Sequence, residues 1–188
     1  MHEGEGFLFG KRDRPMTVRI IGSKRARMRK VEFTEDARKA LRAGVEVFIS
    51  SGAASKIEQD GLKSFREGKE CMGLLYGIPF RQEGKQQVKI EAAVSLPVNS
   101  TSHHVSVDRT TDMPEGQDAP PGSIVVGWYH SHTGVGNFMS GTDRNTHGRW
   151  FSSPFAVSIV FEAAERSLDA YRMVDGEFVR VRYELYRD

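Results

Sequence analysis

Between residues 37 and 49, apolar residues recur every three or four positions. In most later segments they instead stand in continuous runs or alternate with polar residues. The first spacing predicts an amphipathic helix that begins at Thr34, a suitable N-cap, and ends near residues 50–52. Its apolar stripe consists of Ala37, Ala40, Leu41, Val45, Phe48 and Ile49. The polar segment 59–69 is expected to be a linker or irregular structure.

Short apolar or alternating runs predict β-strands over much of the remaining chain. They cover residues 18–21, 71–76, 86–96, 123–129, 154–161, 168–174 and 177–186. We expect Gly77 and Pro79 to end the strand at 71–76. Val88, Ile90, Ala92 and Val94 are expected to share one face of the next strand.

Two segments between these strands carry turn and loop signals. Asp175 and Gly176 are typical of a tight hairpin turn between the last two strands. Residues 112–122 contain three prolines and two glycines, which predicts a loop. Helices interspersed with a mixed or antiparallel sheet, in a chain of 188 residues, predict one α/β (α+β) domain. We place it at residues 16–188, after a flexible N-terminal segment 1–15.

The composition narrows the classes of function. A net charge of +2 gives no general attraction for nucleic acid, and no apolar run approaches the roughly 18 residues that span a bilayer. The single cysteine, Cys71, suits a reducing compartment, so we expect a cytoplasmic protein. Five basic residues within 24–30 are either a docking patch or, as we prefer, a solvated edge strand or loop.

The segment after the strand at 123–129 contains three candidate zinc ligands, His130, His132 and Asp143. Residues two apart on a strand project to the same face, so both imidazoles can reach one ion. Catalytic zinc sites combine three protein ligands with an open position for water. Ser140 and Asp143 also fit a capping box at the start of a helix that runs toward Trp150, which is the simpler interpretation of that pair alone.

A zinc hydrolase also needs a general base that takes a proton from the attacking water. Glu70 is our candidate, because it stands at the start of an apolar strand. Spacing in the sequence alone does not choose between Glu70, Glu67 and Glu91. The neighbouring Cys71 is expected to be an inert core thiol, since no basic residue adjoins it to lower its pKa.

These positions together resemble a known signature. Glu70, the His130-x-His132 pair, Ser140 and Asp143 are similar to the motif of the JAMM (MPN-plus) zinc isopeptidases, and the flanking residues are most similar to the deubiquitinating members found in the proteasome lid. The resemblance covers roughly residues 31–175. It implies a single MPN/JAB1-like domain with a mixed, curved β-sheet flanked by helices.

The resemblance also implies roles for these residues. His130, His132 and Asp143 would ligate one Zn²⁺, Glu70 would act as general base and then general acid, and Ser140 would donate a hydrogen bond to the tetrahedral intermediate. The implied substrates are conjugates of ubiquitin or a ubiquitin-like protein, and the implied assembly partners are the proteasome or an unfoldase. Alternatives are the processing of a sulfur-carrier-like protein, hydrolysis of a small amide, or a non-catalytic zinc-binding module.

Substrate-binding residues are expected where the chain departs from the family. Thr133 stands in place of a proline, and Asn137 and Phe138 in place of a Cys-Trp pair. His103 and His104 lie in the region similar to the family's flap beside the active site, as substrate contacts or as part of an exposed polar loop. The chain lacks the C-terminal helices of the lid subunit, so we expect a compact relative that stands alone. His147 is a candidate partner for Asp143 or an ordinary surface histidine.

Overall fold

The computed structural model describes residues 15–20, 27–32, 40, 44–82, 84–97, 99–101, 104–106 and 119–187. Within these ranges the chain forms twelve strands and two helices. The strands are β1 (Pro15–Ile20), β2 (Arg27–Glu32), β3 (Val47–Ser50), β4 (Met72–Gln82), β5 (Lys85–Ser95), β6 (Asn99–Thr101), β7 (His104–Ser106), β8 (Ile124–His132), β9 (Val157–Glu162), β10 (Ser167–Val174), β11 (Glu177–Val181) and β12 (Tyr183–Tyr186). The helices are α1 (Ser51–Arg66) and α2 (Gly141–Trp150). No helix of the described ranges is both long and apolar enough to cross a bilayer.

Ten of the strands form one mixed sheet in the order β11-β10-β9-β8-β4-β5-β3-β12, and β1 joins β2 to the far end of β4. Strands β8 and β9 are parallel, as are β3 with β5 and β12 with β3. Strands β6 and β7 pair separately. The predicted α/β (α+β) class, with a mixed, curled sheet and flanking helices, is confirmed.

Strand β8 lies between β4 and β9, and its two faces belong to different hydrophobic clusters. Tyr129 packs in the cluster under α1, whereas Trp128 packs in the cluster that includes Phe151 at the end of α2. Successive side chains of a strand point to opposite faces. The strand therefore presents His130 and His132 on the Trp128 side, and Ser131 on the α1 side.

Helix α1 is held close to the sheet by a small residue and a polar cluster. A β-carbon on Gly61 would lie 2.3 Å from the ring of Phe161, so only glycine permits this approach. The Tyr129 hydroxyl donates to Asp60 at 2.5 Å, and Lys56 donates to the other oxygen of the same carboxylate at 2.6 Å. Burial, together with the bond to Asp60, raises the pKa of Tyr129 far above its usual range.

The predicted helix that ends near 50–52 is wrong at its C-terminal end. Val47–Ser50 is strand β3, and Ser50 is instead the N-cap of α1, accepting from the Ala53 amide at 3.0 Å. Four consecutive buried residues suit a strand inside a sheet, a pattern that periodicity alone does not separate from a buried helix. Residues 33–39 and 41–43, which include Thr34, lie outside the described residues.

The irregular structure expected over 59–69 is wrong as far as Arg66, where α1 ends, and is present only over 67–69. This helix buries only Ala53, Ile57 and Gly61, which are spaced four apart. Two of these residues are too small to give an apolar signal, so the sequence resembles a polar linker.

Strand β4 continues through Gly77 and Pro79, which the sequence predicted as its end. Gly77 sits at a register shift, where a β-carbon would lie 2.0 Å from the Lys89 carbonyl oxygen. On one edge, β4 pairs with β8 as far as Gly77 and with β1 from Phe80 onward. Pro79 lies between these two partners, so on that edge its missing N–H breaks no hydrogen bond of the sheet.

The same register shift divides β5 between the two faces of the sheet. Val88 and Ile90 pack with Ala93 in the cluster under α1, whereas Ala92 and Val94 pack against the other cluster. The prediction that Val88, Ile90, Ala92 and Val94 share one face is therefore wrong beyond Ile90. A bulge adds one residue to a strand and so reverses its alternation.

The other predicted strands are present, with bounds that differ by a few residues, whereas β6 and β7 were not predicted. Asp175 and Gly176 adopt positive φ, 49° and 85°, and join β10 to β11 as predicted. The predicted strand 177–186 is divided into β11 and β12 at Arg182. Residues 1–14, 24–26 and 107–118 lie outside the described residues, and Arg27–Glu32 pairs with β1 as β2.

Close approach of β8 to β9 makes Gly127 a testable position. A β-carbon there would lie 1.9 Å from the Val157 carbonyl oxygen, which is backbone that cannot move away alone. We expect Gly127→Ala to lower the free energy of unfolding by about 3 kcal/mol, as overpacking of a core does. Urea denaturation measures the change. Gly148→Ala, in α2 with open space around it, should instead stabilise by about 0.5–1 kcal/mol; equal effects of both substitutions would contradict this explanation.

Candidate metal centre

His130 and His132 occupy the C-terminal end of β8 and are almost fully buried. Their ring centroids are 4.9 Å apart and their Nε2 atoms 3.2 Å apart. The Nδ1–H of His132 donates to the Gly136 carbonyl at 2.6 Å, which leaves its Nε2 lone pair pointing to His130 in the neutral ring. The same-face geometry predicted from the two-residue spacing is thus present.

Asp143 reaches the two histidines from the first turn of α2. It is the N3 residue of a capping box: Ser140 Oγ accepts from the Asp143 amide at 3.2 Å, and the Ser140 amide donates to Asp143 Oδ2 at 2.7 Å. That same Oδ2 lies 3.4 Å from His130 Nε2 and 3.8 Å from His132 Nε2. The helix cap therefore fixes the carboxylate over the imidazoles.

Three electron-pair donors meet here with ligand atoms all within 4.8 Å of one another. Bonds of 2.0–2.1 Å to a tetrahedral zinc ion would place neighbouring ligand atoms about 3.3 Å apart, close to the 3.2–3.8 Å observed. Buried lone pairs that face one another need a proton or a cation between them. The donor set fits one Zn²⁺ ion, with His130, His132 and Asp143 as its holders.

The pKa values of the three groups reflect the same crowding. Burial lowers the pKa of His130, against the opposing pull of Asp143. Burial acts in the same sense on His132, but its hydrogen bonds to Asp143 and Gly136 outweigh it and raise the pKa. Burial would raise the pKa of Asp143, yet the two histidines hold it far below its usual range. The carboxylate is therefore ionised at neutral pH.

Glu70 lies beside this cluster because of the register between β4 and β8. Met72 pairs with His130, and the Ser131 amide donates to the Cys71 carbonyl at 3.1 Å, so the next residue back, Glu70, comes opposite His132. Ser131 Oγ also accepts from the Cys71 amide at 2.9 Å. Glu70 is 8% exposed, and burial raises its pKa to about 7, with Asp143 and Glu162 adding to the rise and His132 opposing it.

The other carboxylates considered from the sequence lie elsewhere. Glu67 is exposed beside Lys69 at 3.7 Å, and Glu91 pairs with Lys89 at 3.2 Å. The structure thus separates three residues that sequence spacing left equivalent. Burial raises the pKa of the Cys71 thiol to about 11, which agrees with the prediction of an inert core thiol.

The candidate substrate contacts are arranged unevenly around the metal ligands. Phe138 is 45% exposed with its ring 5.1 Å from that of His132, and Thr133 comes directly after His132. The Asn137 side-chain amide already donates to Ser167 Oγ at 2.8 Å, which ties it to β10. His103 lies outside the described residues, and His104 begins β7, where its side chain is not described.

His147 is neither a surface residue nor a partner of Asp143. It is 2% exposed, and its Nδ1 accepts from the Trp128 indole N–H at 3.3 Å and from Ser158 Oγ at 2.8 Å. Trp128 in turn stacks on His130, with centroids 4.7 Å apart. His147 therefore connects α2 to the sheet one turn after Asp143. In the sequence, only its position four residues after Asp143 indicated that it lies on the same helix face.

Glu162 is a further buried carboxylate beside these residues, and the sequence analysis did not predict it as a site residue. It ends the apolar strand β9 beside His132 in the parallel register. The sequence pattern that could have identified it is the one that identified Glu70: a carboxylate next to one end of a buried apolar strand.

Comparison with known proteins shows the family that this chain is similar to. Residues 42–150 match the family described as JAB1/Mov34/MPN/PAD-1 ubiquitin protease. The 26S proteasome non-ATPase regulatory subunit 14 of Drosophila melanogaster is 33% identical over 144 residues, which are 69% of this chain and 44% of that protein. The ubiquitin carboxyl-terminal hydrolase RPN11 of Saccharomyces cerevisiae is 31% identical over 143 residues, with the same two coverages. The chain thus spans less than half the length of these relatives.

One solved structure shows the same fold. The solution structure of protein DSY2949 from Desulfitobacterium hafniense has a TM-score of 0.55 to this chain at 16% sequence identity. The match covers 76% of this chain and 94% of that one.

The buried position of His147 predicts a pH dependence of stability. Burial lowers its pKa from 6.5 to about 4, so below pH 6.5 the unfolded chain binds a proton that the folded chain does not. Stability is therefore full above pH 6.5 and declines toward pH 4. In His147→Asn, Oδ1 can take the place of the Nδ1 acceptor without titrating. We expect the unfolding free energy of wild type, relative to His147→Asn, to fall by about 2 kcal/mol between pH 7 and 5.

Urea titrations in chelator at each pH measure this difference, so that metal release does not contribute. Parallel pH profiles for the two proteins would contradict the assignment of a neutral, buried imidazole.

Proposed function

Because the chain belongs to the JAB1/Mov34/MPN/PAD-1 ubiquitin protease family, we propose that it is a zinc-dependent isopeptidase. Its substrate would be the bond between the C-terminus of ubiquitin, or of a ubiquitin-like modifier, and a lysine side chain. One observation carries the proposal: strand register and a helix cap bring a buried glutamate beside three zinc-type donors. A hydrolase needs a base and an electrophile at one point, and this arrangement supplies both.

His130, His132 and Asp143 would hold the ion, and each has a second contact that fixes it. The Gly136 carbonyl orients His132, the Trp128 ring lies against His130, and the cap amide of Ser140 holds Asp143. A zinc ion at this place would supply Lewis-acid activation of water and of the substrate carbonyl.

Glu70 is the proton carrier of the proposed reaction. Its carboxylate takes a proton from the water that attacks the isopeptide carbonyl, and returns a proton to the lysine amine as the C–N bond breaks. A pKa near 7 suits both directions of transfer, because neither protonation state is strongly disfavoured at neutral pH. The products are a free carboxyl terminus on the modifier and a free lysine, and no covalent enzyme intermediate forms.

Ser140 would stabilise the negative charge that develops on the carbonyl oxygen. Its Oγ uses a lone pair to accept the Asp143 amide, which leaves the hydroxyl proton available to a substrate oxygen. The capping and catalytic interpretations of this serine are therefore compatible, since they use opposite sides of one oxygen atom.

The segment after His132 offers apolar contacts that would support binding of a polypeptide substrate. Val135 and Phe138 are 54% and 45% exposed on the segment directly after His132, and they offer apolar contacts next to the reacting centre. One relative is a ubiquitin hydrolase and another a proteasome subunit by name, which supports ubiquitin-type conjugates as substrates. A proteasome or unfoldase partner for this chain belongs to the same proposal.

Cleavage of an isopeptide-linked conjugate tests the proposal directly. Wild type loaded with one equivalent of zinc should cleave it, and chelator should abolish the activity reversibly. Glu70→Gln should reduce kcat by about 10²–10⁴-fold, because the proton acceptor is lost, while zinc content stays the same. The assay measures released modifier by gel and zinc by elemental analysis.

Glu67→Gln is the matched control, since this exposed glutamate lies three residues away in sequence and should retain full activity. A Glu70→Gln enzyme with wild-type kcat would refute the assigned base. Linear fusions assayed in parallel distinguish an isopeptidase from a processing peptidase. Zinc binding without cleavage of any conjugate would favour a non-catalytic module.

Ser140→Ala separates the two roles of the serine. Loss of the cap should cost about 1 kcal/mol of stability, and loss of the donor should lower kcat by about 10²–10³-fold. Ser50→Ala removes the equivalent cap of α1, far from the ligands in sequence, and should show the stability loss alone. Equal kcat values for the two variants would leave Ser140 as a cap only.

A further inference from the structure

Glu162 is a buried carboxylate that the proposed reaction does not use. It is fully buried, and among the described residues its charge has no cationic partner. Instead it accepts three backbone N–H groups: Oε1 from Gly134 at 2.7 Å and from Ala164 at 3.0 Å, and Oε2 from Gly136 at 2.7 Å. A buried charge is retained only where such bonds compensate the loss of solvation.

Two of the three donors belong to the turn directly after the zinc-type histidines. Gly134 and Gly136 have φ of 109° and 92°, a conformation that favours glycine, so residues 133–136 turn sharply after β8. Each oxygen of Glu162 holds one of these two glycines. The carboxylate therefore fixes the turn at two points rather than one.

The same turn carries the group that orients His132. The Gly136 residue whose amide binds Glu162 offers its carbonyl to His132 Nδ1 at 2.6 Å. The hydrogen bond at one ring nitrogen decides which nitrogen has the lone pair for a metal. A continuous chain of contacts thus runs from the Glu162 carboxylate through the Gly136 peptide groups to the His132 ring.

We propose that Glu162 is a positioning residue for the metal centre: by holding Gly134 and Gly136 it places the carbonyl that keeps His132 in its metal-binding tautomer and orientation. This role rests on the proposed function, because it concerns the same zinc ligand. It is specific to a carboxylate. Glutamine offers one acceptor oxygen and would place an NH₂ group against the Gly136 amide, donor against donor.

Zinc affinity is the decisive measurement, made by competition with a chromogenic chelator and without any substrate. Glu162→Gln should bind zinc about 10–100-fold more weakly than wild type, as loss of a partner behind a metal ligand does. The amide of Gly136 should exchange with solvent faster in the zinc-free variant, as measured by NMR. Glu165→Gln, three residues along and exposed, should match wild type in both measurements.

A second variant reaches the same turn without altering the buried site. Gly136→Ala meets no atom within 4 Å, but its positive φ is disfavoured for alanine, so it should disturb the turn and weaken zinc binding in the same direction. The double variant should bind zinc no more weakly than the weaker single variant, because both act through one contact. This variant decides the matter if Glu162→Gln fails to fold.

The outcomes are distinct. A folded Glu162→Gln, or a folded Gly136→Ala, with wild-type zinc affinity overturns the positioning role. Losses that multiply in the double variant also overturn it, since they show two independent effects. A wild-type protein that binds no zinc overturns the proposed function itself. Zinc binding that responds as expected, in a protein that cleaves no conjugate, supports the positioning role and removes only the isopeptidase activity.

Discussion

The pairing of β4 with β8 is the constraint on which the candidate site depends. Antiparallel partners are fixed residue by residue, and a shift by one would turn every side chain of β8 to the opposite face. With Met72 opposite His130, both histidines lie on one face and Glu70 arrives beside His132 from the end of β4. The Cys71–Ser131 hydrogen bonds secure the pairing at the point where the ladder ends.

The third candidate ligand, Asp143, depends on a different local rule. Asp143 is held by the capping box of α2, so the interaction that begins the helix also aims the carboxylate. His147 then fixes the helix to the sheet through Trp128 and Ser158. The placement of the candidate ligands is therefore supported by backbone hydrogen bonds and by one buried imidazole.

Those local rules explain which parts of the site could be predicted from the sequence. A two-residue spacing and a capping box are short-range patterns. The first correctly placed His130 and His132 on one face, and the second correctly placed Ser140 and Asp143 at the start of α2. The candidate base could not be chosen by spacing, because Glu70, Glu67 and Glu91 are separated only by how the chain folds. The resemblance to a family chose Glu70, and the register of β4 supplies the physical reason for its position.

The failures in the fold have equally physical causes. Residues 47–50 continue a helical periodicity, but all four are buried in a strand. Helix α1 buries two small residues, Ala53 and Gly61, and therefore lacks the apolar stripe that would have predicted a helix. The register shift opposite Tyr76 and Gly77 leaves one additional residue in β5, between Ile90 and Ala92, and this reverses the faces of that strand. Each error arose where tertiary packing overrode a local pattern. The role of Glu162 could not be predicted for a related reason: its hydrogen-bond partners are backbone amides, which no sequence motif identifies.

The close packing of α1 against the sheet has a consequence for how substitutions in this protein are interpreted. A β-carbon on Gly61 would meet the ring of Phe161 and the side chain of Ser131, the residue between the two histidines. Helix α1 and the two histidines therefore lie on opposite sides of the same segment of β8. In a saturation mutagenesis experiment, positions intolerant of change should form a band through the sheet rather than a sphere around the ligands.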